Sequence, residues 1–239
     1  MSIESEALFA AIDGTWPAFA THEKGIWTLR EGRGAGQRVS AASTEQAATK
    51  QDVEQAAEAM RAMGQKPLFI VRGAQAQLDE LLAGMGYRVK DPVDVLMARS
   101  ADLAHYSQPD MKVIFAPEPM PIQAEIWEAG GINAARLDVM RHAKGPKTCL
   151  LGRHENHPVA AGFLACHNNI AMVHAVEVLP AARRQGVAKA MMQGAAWWAL
   201  QQGADWFGCL TVSENLPAQR LYRKMGMETA TQYHYRVAD

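Results

Sequence analysis

"VLPAARRQGVAKAMM", residues 178–192, decides the fold. An apolar strand ending at Val178 gives way to a short loop carrying Arg183, Arg184 and Gly186, and then to a helix with Val187, Met191, Ala195 and Trp198 on one stripe. A strand that runs directly into a helix presents backbone N–H groups that have no intrahelical acceptor, and the helix dipole adds positive charge there. Phosphates bind at such ends. Small residues at Gly186 and Ala188 let an anion approach the backbone, and two arginines add charge-assisted hydrogen bonds. Two familiar phosphate loops are excluded. The GK[ST] ending is absent, and so is G-x-G-x-x-G. "GRGAG", 32–36, has no helical pattern after it and reads as a hairpin turn.

Working outward, the 239 residues suffice for one large or two small domains, each with a core. The chain is 49% apolar and 21% charged, with a net charge of −1, so no global basic field points to nucleic acid. Any anion site is therefore local. Cys149, Cys166 and Cys209 lie far apart, with neither disulfide nor zinc spacing, and read as reduced thiols. No apolar run reaches the ~18 residues of a membrane span, and the N-terminus lacks a secretion layout. The expectation is a cytoplasmic protein without membrane or nucleic-acid partners, either a monomer or a homodimer.

The first hundred residues read as a helix over 4–13, two strands around the glycine turn with Trp27, Leu29 and Val39, and a helix over 45–63. Strand "PLFIV", helix "AQLDELLAGMGY" and strand "VDVLMA" follow. "SADLAHYSQPD", 100–110, is polar and reads as a linker, dividing the chain into 1–100, a linker over 101–110, and 111–239. The second part reads as strand "MKVIFA", one or two helices over 119–142 broken near Gly130 and Gly131, and a three-stranded antiparallel meander. The basic loop and its helix come next, then strand "DWFGCLTV", helix "NLPAQRLYRKMG" and strand "TQYHYRVA". The fold class is α/β with a mixed sheet.

A shift of 140 residues places Leu81 on Leu221, Met85 on Met225 and Gly86 on Gly226, with strands aligned on both sides. Both halves are thus expected to end in the same strand–helix–strand unit. In the first copy the basic loop falls on "STEQAA", 43–48, which has neither glycine nor arginine.

The R-x-x-G-x-A spacing from Arg183 to Ala188 resembles the acyl-CoA loop of the GNAT superfamily of N-acetyltransferases. "NLPAQRLYRKMGM", 215–227, is similar to a second segment of that family, with Asn215, Ala218, Leu221, Tyr222 and Gly226 in register. The resemblance covers the second half; the first half resembles a degenerate copy, which implies a tandem arrangement. It implies an acetyl-CoA-dependent N-acetyltransferase, in which a primary amine attacks the thioester directly in a ternary complex. The amides of Arg184, Gln185, Gly186, Val187, Ala188 and Lys189, with Arg183 beside them, would grip the CoA pyrophosphate. Arg184 departs from the glycine common at its position. The backbone at Val176 and Val178 would meet the pantetheine arm where two strands diverge, and Asn215 would contact it from the other side. No metal is implied.

The resemblance assigns Tyr222 as the acid that protonates the departing thiolate; a tyrosine on an amphipathic helix also simply packs. The base stays open between His174, Glu177 and neither. Strand alternation puts His174, Val176 and Val178 on one face and Glu177 on the other, unless the strand bulges. An imidazole, with an ordinary pKa of about 6.5, suits proton removal. "HAVEV" is similar to the base-bearing strand of a family member with histidine in that place. His154 and His157 flank a turn, at least one of Trp197 and Trp198 is expected in the core, and Tyr233 and Tyr235 lie on the last strand. The alternative to an enzyme is a non-catalytic acyl-CoA-binding or regulatory protein of the same fold.

Overall fold

The computed structural model describes residues 3–105 and 111–238. The first half of the chain forms α1 (Ser5–Thr15), β1 (Ala20–Lys24), β2 (Trp27–Glu31), α2 (Lys50–Ala62), β3 (Leu68–Arg72), α3 (Ala76–Gly84), β4 (Arg88–Arg99) and α4 (Ser100–Leu103). The second half forms β5 (Met111–Ala116), α5 (Pro121–Ala129), α6 (Ala134–His142), β6 (Lys147–His154), β7 (His157–His167) and β8 (Ile170–Val178). It ends with α7 (Val187–Gln201), β9 (Trp206–Val212), α8 (Leu216–Lys224) and β10 (Glu228–Val237).

These elements gather into two compact units, each made of separate stretches of chain. One takes the residues up to Pro17, Val95–Thr211 and Leu216–Ala230; the other takes Ala18–Asp94, Val212–Asn215 and Thr231 onward. The contacts therefore cluster differently from a division at 100–111, because β4 and β10 each enter both units. Residues 101–103 of the expected linker belong to the helical turn α4, with Leu103 buried; 106–110 lie outside the described residues.

The first unit is built on the strand order β4–β9–β8–β7–β6–β5. β5 to β8 pair antiparallel, as the turns "HENH" and "HNN" suggest, and β8 pairs parallel with β9. α7 covers one face. Its Val187, Met191, Ala195 and Ala199 are buried in a core with Leu150, Leu164, Val173 and Phe207. Burying each larger apolar side chain stabilises by about 1.5–3 kcal/mol. Small residues on the strands make room: a Cβ on Gly152 would lie 2.8 Å from the Met191 sulfur. The other face is covered by α1 and α5. The Trp16 ring lies 6.0 Å from Phe163, and fully buried Trp127 anchors α5.

The second unit holds the β1–β2 hairpin and the order β3–β10–β4, with β3 and β10 antiparallel. Trp27 and Phe69 pack 5.0 Å apart beneath α2, whose Val53, Ala56, Ala57 and Met60 are buried. The hairpin turns at Gly25, not at "GRGAG". Arg33, Gly34 and Gly36 all have positive φ, so the chain there coils instead of extending, and Val39 is buried without belonging to a strand. The helix expected over 45–63 starts later, at Lys50, because Thr49 and Asp52 form a capping box.

The 140-residue shift is repeated in hydrogen bonds. Met85 N–H donates to Leu81 O, Gly86 N–H to Ala83 O and Tyr87 N–H to Leu82 O; Met225, Gly226 and Met227 do the same to Leu221, Arg223 and Tyr222. Gly86 and Gly226 have φ of 87° and 88°, the left-handed turn that ends a helix and favours glycine.

Candidate active site

The basic loop folds as a single 3₁₀ turn, Pro180–Ala182, followed by Arg184 and Gly186 with φ of 66° and 85°. Gly186 is the N-cap of α7; no side chain caps the helix and no acidic residue sits in its first turn. The leading N–H groups of α7 are therefore left to solvent or to a ligand. Val187 is buried, which fixes the helix end against the sheet, while Arg183, Arg184, Gln185 and Lys189 are exposed. Arg184 holds a backbone conformation that costs a non-glycine residue about 1 kcal/mol or more.

Beside this helix start the sheet opens. The ladder between β8 and β9 runs from Ile170↔Trp206 to Val173↔Cys209 and stops, although β8 continues to Val178. Val176 and Val178 thus lie on the stretch of β8 beyond its pairing with β9. The Val178 carbonyl accepts a hydrogen bond from Arg183 Nε at 3.0 Å, and the Arg183 guanidinium pairs with Glu177 at 3.1 Å.

β8 also bulges. Phe163 faces His174 but Ala161 faces Glu177, so β8 spends one residue more than β7 between these pairs. Ala175, with φ of 52°, is the strained point. The expected alternation is thereby corrected. His174 and Glu177 share the face covered by α1 and α5, while Val176 turns toward α7, beside Gly162 and Met191. Trp127 Nε1–H donates to the Ala175 carbonyl at 2.8 Å. Glu177 lies against the end of α5: a Cβ on Gly130 would come within 2.5 Å of its Cδ.

The two base candidates differ sharply in surroundings. His174 is 5% exposed, 5.0 Å from the Trp16 ring, and its Nε2 lies 2.9 Å from Thr15 Oγ1. Thr15 donates its own proton to Ala11 O at 2.7 Å, so its oxygen accepts from His174 Nε2–H. The Glu177 side chain is half-buried beside the open end of β8.

Tyr222 sits on α8 with only 8% exposure. Burial, with nearby Cys209 adding to it, pushes its phenol well above the usual range, so the proton stays on. Asn215 donates its N–H to Val212 O in the turn before α8, in a stretch that belongs to the second unit. Tyr233 and Tyr235 also belong there. Both are buried, with their rings edge-to-face at 5.5 Å and Arg38 acting on both phenols. Trp198 packs on the α7 core, and Trp197 lies 5.9 Å from Phe115. His154 and His157 pair across their turn, and no group of three or more metal-ligating side chains occurs among the described residues. All three cysteines are buried, and burial raises Cys149 to about 12 and Cys166 to about 11. No helix among the described residues is long and apolar enough to cross a membrane. The sequence reading missed Trp127, Ala175 and Thr15; the sole trace of them was the Gly130–Gly131 break that follows Trp127.

The sequence profile of the Acetyltransferase (GNAT) family matches residues 102–227, more than half of the chain. The protein belongs to that family. Among curated proteins it is similar to the uncharacterized N-acetyltransferase YobR of Bacillus subtilis (strain 168), 23% identical over 235 residues, covering 93% of this chain and 94% of the relative. Among solved structures it is similar to a GCN5-related N-acetyltransferase from Kribbella flavida, with a TM-score of 0.74 at 17% identity, covering 100% of this chain and 97% of that one. It is also similar to a tandem GNAT protein from the clavulanic acid biosynthesis pathway, with a TM-score of 0.65 at 12% identity, covering 95% and 86%.

Proposed function

We propose that the protein transfers an acetyl group from acetyl-CoA to a primary amine by direct attack in a ternary complex. The observation that carries this reading is the end of the β8–β9 ladder at Val173↔Cys209 beside the uncapped start of α7. A diphosphate at the amides of Arg184 to Lys189 meets the helix dipole, with Lys189 adding charge. The edge of β8 at Val176 and Val178 pairs with the pantetheine arm as a strand would. The N–H near Val178 stabilises the thioester oxygen as it gains charge.

Glu177 is the base this geometry favours. Its carboxylate, directly or through one water, takes the proton of the amine as nitrogen bonds the thioester carbon. The carbon–sulfur bond breaks, the Tyr222 phenol gives its proton to the thiolate, and the phenol is reprotonated from solvent. His174 is the less suited base, because it is only 5% exposed and lies beneath the Trp16 ring. The first half reads as a degenerate copy, supported by the matched helix ends and by the similarity to a solved tandem GNAT protein. The protein is cytoplasmic, with acetyl-CoA and an amine as its partners.

The test is thiol release from acetyl-CoA with a panel of amines. Wild type should turn over, and Tyr222→Phe should lose about 100-fold in kcat while still binding acetyl-CoA. Binding without turnover on any amine would favour an acyl-CoA-binding protein; no binding would end both readings.

A further inference from the structure

We propose that Trp127 is a positioning residue for Glu177, acting through the carbonyl of Ala175. The inference rests on the acyl-transfer reading above, with Glu177 as base. The bulge decides which way Glu177 points. Without its extra residue, strand alternation would turn Glu177 toward α7 and Val176 toward α5. Yet the bulge places an alanine at φ of 52°, a conformation alanine disfavours, so something must hold it.

Trp127 supplies the hold. It is fully buried, its indole N–H reaches the Ala175 carbonyl at 2.8 Å, and the side chain has few other places to go. α5 is itself fixed at both ends. Gln123, fully buried, accepts from Met120 N–H at 2.9 Å, and Ile132 N–H folds back onto Trp127 O at 2.8 Å through Gly131. The same turn brings Gly130 against the Glu177 carboxyl, which a side chain at 130 would displace. One helix end therefore both locks the bulge and seats the carboxylate.

Steady-state kinetics with acetyl-CoA and an amine that wild type accepts tests this in Trp127→Phe, Trp127→Phe/Ala175→Gly, Glu177→Gln and Trp127→Phe/Glu177→Gln. Trp127→Phe keeps the ring and loses the donor; kcat should fall about 10- to 100-fold, with KM for acetyl-CoA within about twofold. Glycine takes a positive φ without strain, so Ala175→Gly should restore several-fold of the loss. In the Glu177→Gln background, Trp127→Phe should cost nothing further. Gly130→Ala repeats the test without touching the core tryptophan. A kcat unchanged in Trp127→Phe and Gly130→Ala, or a loss that persists in the Glu177→Gln background, overturns the inference while leaving acyl transfer standing. A wild type that turns over no amine overturns the acyl-transfer reading, and this inference with it.

Discussion

α2 and α7 begin in opposite ways. At α2, Thr49 Oγ1 accepts from the Asp52 N–H, and the Asp52 carboxylate accepts from the Thr49 N–H at 2.9 Å. The helix start is filled by its own carboxylate, which hydrogen bonds from the Thr49 hydroxyl, at 2.6 Å, and from the Thr49 N–H hold below the usual carboxylate range. At α7 the same positions are Gly186 and Lys189, with no cap and no acid. A capped start satisfies itself; an uncapped one is left open to an external anion, and lysine at the third position favours that anion where aspartate would oppose it. This contrast, more than the missing arginines of "STEQAA", separates the two halves.

Moving the acid across should have the largest effect. Lys189→Asp removes one charge-assisted contact and installs a repelling carboxylate, so acetyl-CoA affinity should drop about 100-fold, or ~3 kcal/mol. Isothermal titration calorimetry checks it, and thermal unfolding should show no loss, because an acid suits a helix start. Unchanged affinity would mean that the diphosphate does not sit at this turn. Gly186→Ala comes next: alanine at its φ of 85° should cost about 1–2 kcal/mol in stability and roughly tenfold in affinity. Thr49→Ala should cost about 1 kcal/mol in denaturant unfolding yet leave acetyl-CoA binding untouched. An altered affinity there would undo the contrast. The smallest effect is acid sensitivity. Because the Asp52 carboxyl is lowered in the folded chain, its stabilisation is present above the ordinary carboxylate value of 3.8 and fades as pH falls through the lowered one. The protection of the Asp52 amide, relative to its intrinsic exchange rate at each pH, should then fall, while that at the start of α7, which carries no acid, should not.

The loop before α7 was legible because strand, small residues and arginines follow one another at fixed spacing, and each has a local physical meaning. The helix break at Gly130 and Gly131 was legible for the same reason, as were the meander turns. The bulge was not: period-two reading assumes an unbroken strand, and Ala175 bears no mark of its positive φ. Without it, His174 and Glu177 fall on opposite faces, so alternation separates two candidates that the bulge puts on one face. The burial of His174 depends on Thr15 and Trp16, contacts far away in sequence that no periodicity reports. The partners of β4 and β10 were equally hidden, since alternation tells which face a strand buries and not which neighbour it joins.

That neither compact unit is a continuous run of chain bears on its birth at the ribosome. The first unit still lacks α8 when residue 215 emerges, and the second waits for Thr231 and beyond. β10 lies between β3 and β4 in the strand order and follows every other described strand in the chain, so those two strands wait for it. Cut near residue 100, the first fragment would hold β3 and β4 without the β10 that lies between them, and the second would hold β10 and β9 without β4.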